Sequence, residues 1–104
     1  MAKKITFDEL YEIITDEKTY VLVDLLRSGE RSSADMIAES GIFLKTFNYI
    51  VSRMYNAGML NSRTTIRTRI YSLNIAGIRE LVQKLATISG EFSSAAGRLA
   101  SVCR

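Results

Sequence analysis

Histidine is absent from this chain, and the absence removes the usual general base and the imidazole metal ligand together. Its one cysteine, Cys103, cannot close an internal disulfide, which fits a reducing, cytoplasmic setting. No glycine-rich phosphate loop is present. Carboxylate pairs such as Asp8/Glu12 and Asp16/Glu17 fit exposed helix surfaces better than a catalytic dyad. No enzymatic activity, no cofactor and no metal are therefore expected. The longest apolar runs are a few residues, far short of the roughly 20 that cross a bilayer, so no membrane partner is expected. The opening Met1–Ile5 lacks the apolar core of a secretory signal. There is no proline, no repeat and no low-complexity stretch, and punctuation falls to glycine.

What is present reads as one small domain. At 104 residues with 47% apolar residues, the chain can bury a modest core, and a second copy is a natural source of further buried surface. The net charge of +3 is unevenly spread. Residues 1–30 hold seven acids and four bases, whereas residues 31–79 hold two acids and seven bases. A basic middle segment beside an acidic first one points to a face for a polyanion, although a mixed solvated surface gives similar counts.

Thr6 and Glu9 form a capping-box pattern, and Phe7, Leu10, Tyr11 and Ile14 follow on one helical face. Asp16 is placed to cap a second helix reaching about Ser28 and ended by Gly29. Its middle, Tyr20–Val23, also reads as a strand, but the apolar run continues past Asp24 into Leu25 and Leu26, which favours helix. Ser32 or Ser33 opens a short helix over Ala34–Glu39, closed at Ser40–Gly41. A fourth helix follows at once. Phe43, Phe47, Ile50, Val51 and Met54 make its apolar stripe, while Lys45, Asn48, Tyr49, Ser52 and Asn56 make the opposite one. After Gly58 the pattern becomes strand-like over Met59–Arg63 and Arg67–Leu73, joined by Thr64–Ile66 into a hairpin. Asn74 caps a last helix with Ile75, Ile78, Leu81, Val82 and Leu85 on one face. The expected organisation is a domain over residues 1–90 and a small, polar C-terminal tail over 91–104.

A short helix, a glycine turn and a second amphipathic helix form a helix-turn-helix, whose second helix enters the DNA major groove. The following hairpin makes it winged. The expected fold is thus mainly α with a small β-hairpin, a winged helix-turn-helix. On the recognition helix the candidate DNA contacts are Lys45, Thr46, Asn48, Tyr49, Ser52 and Arg53. Asn48 has the chemistry for a bidentate pair with adenine, and Lys45 for guanine or a phosphate. Arg63, Arg67 and Arg69 are the wing candidates, with no acid between Glu39 and Glu80 to pair them locally. A solvated helix face and a charge-protected edge hairpin would present the same residues.

Residues Leu22–Leu73 resemble the winged-helix core of ArsR-type bacterial repressors. The resemblance rests on Leu25–Leu26, on Ala34-Asp35-Met36-Ile37-Ala38-Glu39, on Ala57-Gly58-Met59-Leu60 and on Arg69-Ile70-Tyr71-Ser72-Leu73. It implies a transcriptional regulator, a repressor by occlusion, that binds double-stranded DNA as a homodimer. The first and last helices would pair across the dimer through Phe7, Leu10, Tyr11, Ile14, Ile78, Leu81, Val82 and Leu85. The same faces also suit a monomer core. Three features depart from the family. Ser33, Ala34, Asp35 and Met36 stand where metal-sensing members carry cysteines, the recognition helix opens on apolar Phe43–Leu44, and no glycine marks the wing tip. The competing functions are a winged helix used for protein contact and, more remotely, redox sensing through Cys103 beside Arg104.

Overall fold

The computed structural model describes residues 5–87 and 91–103. Among the described residues, six helices and three short strands follow one another as α1 (Phe7–Thr15), α2 (Glu17–Leu26), β1 (Arg31–Ser32), α3 (Ser33–Ser40), α4 (Leu44–Asn56), β2 (Leu60–Thr64), β3 (Arg69–Leu73), α5 (Ile75–Ala86) and α6 (Glu91–Ala100), with a 3-10 turn over Ser101–Cys103. The architecture is mainly helical with a small antiparallel sheet, consistent with a winged-helix-like fold. Among the described residues no helix is long and apolar enough to cross a membrane.

Local chemistry sets most of the boundaries. The Glu9 N–H donates to Thr6 Oγ1 at 3.2 Å and the Thr6 N–H to Glu9 Oε1 at 3.1 Å, so α1 opens on a full capping box. Asp16 accepts from the Lys18 N–H at 2.9 Å and starts α2 directly after α1. Tyr20–Val23 lies inside α2: Thr19, Leu22, Val23 and Leu26 are buried at helical spacing while Val21 is exposed, which the alternation of a strand would not give. Ser32 caps α3, and Gly41 ends it at φ +70°, a left-handed value that a side chain would resist.

The sheet has three strands in the order β1–β3–β2, all antiparallel. In the sequence only a hairpin was visible, because β1 is two residues long and has no periodicity to read. Leu60 pairs with Leu73 and Thr64 with Arg69, which leaves residues 65–68 as the turn in place of Thr64–Ile66. Thr65 and Thr68 determine that turn. The Thr65 N–H donates to the Thr68 carbonyl at 2.8 Å, and the Thr68 N–H donates to Thr65 Oγ1 at 3.3 Å.

One core joins the layers. Leu22, Met36, Phe47, Met54 and Met59 are fully buried, and the Phe47 and Tyr71 rings meet edge to face at 6.5 Å between α4 and the sheet.

The C-terminal segment differs from its reading as a tail. Residues 91–103 form α6 and the 3-10 turn, and Ala95, Ala96, Leu99 and Val102 are buried against the rest. Arg98 holds α6 to α2: it donates to both Glu17 carboxylate oxygens at 2.8 Å, and its guanidinium stacks on the Tyr20 ring at 3.7 Å. The same pairing pulls the Glu17 carboxyl below its usual range. The expected boundary at residue 90 lies outside the described residues.

The residues of the expected dimer face take part in the chain's own packing. Leu10, Ile14, Ile78, Leu81 and Leu85 are buried within the chain's own core, and Tyr11 and Val82 are half-buried. Only Phe7 is largely exposed among the eight. Core and dimer faces carry the same apolar periodicity in sequence; here α6 packs on α5 and α1, while Phe7, Leu10, Leu81 and Leu85 also line an open cleft.

Candidate nucleic-acid interface

The candidate face is built from α4 and the β2–β3 hairpin. Three residues, Gly41–Phe43, separate α3 from α4, and Ile42 turns into the core. Burial then divides α4 by helical period. Phe47, Ile50, Val51 and Met54 point inward, while Lys45, Asn48, Tyr49 and Ser52 are exposed. Phe43 was expected in the inward stripe and is not there. It is the residue before the first turn, 84% exposed, and gives α4 no side-chain cap. A serine or aspartate in that place would contribute about 1 kcal/mol to the helix. An apolar residue there is a local rule broken, which is the kind of site where function is worth seeking. Leu44 beside it is also exposed.

The exposed face of α4 has two edges that behave differently. On one edge, Tyr49 and Arg53 reach toward α1, Tyr49 remaining exposed. The Tyr49 hydroxyl donates to Glu12 at 2.6 Å, Arg53 is ion-paired with Glu9, and the Arg53 guanidinium lies 4.3 Å from the Tyr49 ring centre. The hydrogen bond to Glu12 raises the Tyr49 hydroxyl above its ordinary pKa. Both residues thus tie α4 to α1 in the free chain. Thr46 is half-buried in a cleft with Lys18, Val21, Ile42 and Phe43. The strip left for a ligand is Lys45, Asn48 and Ser52.

On the other edge an open groove of about 410 Å³ runs between α4 and the hairpin. Asn48, Ser52 and Tyr55 form one wall; Ser62, Thr64 and Arg69 form the other. Tyr55, Ser62 and Thr64 were missed in the sequence. Tyr55 could have been found three positions after Ser52 and seven after Asn48, on the same helical face.

Strand alternation sorts the three wing arginines. Arg69 stands directly across from Thr64 and shares the groove-side face with Ser62 and Tyr71. Arg63 is one residue out of phase and projects to the opposite face. There it meets Glu30 at 2.7 Å, and the pair lowers the Glu30 carboxyl below its usual range. Arg63 is thus not the unpaired cation that the absence of a nearby acid implied. Arg67 sits in the turn beside Ile66, which is 99% exposed at the tip. Among the described residues, Lys45, Arg67 and Arg69 have no ion-pair partner. Releasing Arg63 is expected to add a cation to the far face of the wing, where a duplex that the wing enters could meet it: Glu30→Gln should steepen the salt dependence of duplex binding by about 0.9 in log–log slope. An unchanged slope in an anisotropy titration would show that Arg63 stays out of reach.

Cys103 is half-buried beside Arg79, Val82 and Gln83 in a small cleft, and Arg104 lies outside the described residues. No protein-family model matches the chain, and no curated protein matches it in sequence.

Proposed function

We propose that the chain is a winged helix-turn-helix regulator that binds double-stranded DNA in a sequence-dependent way, with α4 as recognition helix and β2–β3 as wing. The observation that carries this reading is the polar groove between them, lined by Asn48, Ser52, Tyr55, Ser62, Thr64 and Arg69 with no carboxylate in the lining, with Lys45 on α4 and Arg67 in the hairpin turn also free of ion pairs among the described residues. A phosphate backbone repelled by acids and drawn by Arg67, Arg69 and Lys45 fits that field. The major groove, about 12 Å wide, admits a single helix. With α4 seated there, Asn48 offers the donor and acceptor that adenine matches, Ser52 a hydroxyl, and Lys45 a contact to guanine or phosphate. Arg69 and Arg67 then reach backbone or minor groove, which supplies affinity without sequence preference.

The likeness of Leu22–Leu73 to ArsR-type repressors, read from the residues alone, supports a repressor that occludes a promoter as a homodimer and performs no catalysis. The inner faces of α1 and α5 belong to the chain's own core, and Phe7, Leu10, Leu81 and Leu85 line an open cleft between these helices that a second copy could cover. A winged helix used for protein contact is the second reading, and the exposure of Phe43 and Leu44 favours it.

Repeated selection from a random duplex pool tests the proposal. Wild type is expected to enrich a defined motif, and Asn48→Ala to lose preference at an adenine position, worth roughly 1–3 kcal/mol of discrimination, while still binding bulk DNA. A pool that never departs from random would remove the sequence-reading role of α4.

A further inference from the structure

We propose that Phe43 and Leu44 form an apolar reading head that recognises the C5-methyl group of thymine in the major groove. The inference rests on the duplex-binding reading above and names what its leading edge detects. Two large apolar side chains stand in solvent at the first turn of α4, 84% and 61% exposed. Leu44 continues a face already suited to a base edge, and Phe43 stands beside it at the start of the helix. Leu44 precedes Asn48 by one helical turn and Ser52 by two, so the three line one side of the helix. Lys45 follows directly and is free of any ion pair among the described residues.

The chemistry of this end discriminates among bases. Phe43 and Leu44 carry no side-chain donor or acceptor, so they cannot read hydrogen-bonding edges. The methyl group of thymine is the one apolar feature that the major groove presents. In a helix-turn-helix, the N-terminal residues of the second helix contact base edges, which is where this pair lies. Charge favours a nucleic acid over a second apolar protein surface. Lys18 borders the cleft beside Phe43, Lys45 follows Leu44, and no acid occurs in α4 or in the turn before it. Phe43 also occupies a position where a capping side chain would serve the helix better, so its presence answers to something other than stability.

The test compares two duplexes of the same alternating sequence, one with thymine and one with deoxyuridine, which differ only in the methyl. Wild type is expected to bind the thymine duplex at least about fourfold more tightly, the worth of burying one methyl. The double variant Phe43→Ala/Leu44→Ala should bind both duplexes equally, with an unchanged circular dichroism spectrum. Lys45→Ala should weaken both while keeping the ratio. Equal wild-type binding to both duplexes would overturn the proposal while leaving DNA binding intact, and the apolar end would then belong to a protein contact. Failure to bind either duplex at low salt would remove the duplex-binding reading itself, and this proposal with it.

Discussion

Alanine at position 77 is expected to destabilise the fold by about 3 kcal/mol, the upper end of what overpacking costs. In a thermal melt this corresponds to a fall of roughly 12 °C or more for a domain of this size. The cause is a close approach of two backbones. Gly77 lies in the first turn of α5, and a β-carbon there would run into the Gly58 carbonyl oxygen and crowd the Asn74 side chain. Neither neighbour can give way easily. Asn74 accepts from the Gly77 N–H at 3.0 Å as the cap of α5, and its own N–H donates to the Met59 carbonyl at 2.9 Å. Gly58 stands at φ +84° in the turn that leads from α4 into β2. The sign of the effect makes the test sharp. In an unencumbered helix, glycine to alanine would stabilise by roughly 1 kcal/mol. A raised melting temperature would mean that α5 does not press on the end of α4.

The second large effect concerns the wing. Arg67→Ala with Arg69→Ala is expected to weaken duplex binding by about tenfold or more near physiological salt, equally for every sequence. The log–log salt slope should become shallower by about 1.8, the share of two phosphate contacts. Both side chains are exposed and unpaired among the described residues, so their loss should leave the melting temperature nearly unchanged. Arg63 is left out because Glu30 already holds it. Unchanged affinity in the double variant would detach the hairpin from DNA binding.

Much of the fold was legible because its signals are local. The Thr6–Glu9 box, Asp16, Ser32, Gly41 and Asn74 each act within a few residues and mark helix ends where they occur. The inward stripe of α4 was legible for the same reason, apart from Phe43. What could not be read depends on partners distant in sequence. Arg98 meets Glu17 from 81 residues away, and the run Glu91–Ala100 buries mostly small residues, Ala95 and Ala96 beside Leu99, so its apolar face is faint in sequence although its composition suits a helix. Tyr49 and Arg53 looked like DNA contacts because nothing in their own helix shows that Glu12 and Glu9 of α1 lie beside them. Arg63 was misread likewise: the nearest acid in space precedes it by 33 residues. The apolar stripes of α1 and α5 are ambiguous for a different reason, since an apolar face reveals that it will be covered but not by which surface.

The central claim is that α4 and the β2–β3 hairpin form a duplex-binding face. Its most direct test is a salt titration of the wild-type chain against random duplex DNA, read by fluorescence anisotropy. The account predicts binding at low salt with a dissociation constant on the order of micromolar, lost steeply as salt rises. A folded chain that fails to bind at low salt, or binds with no dependence on salt, would contradict it.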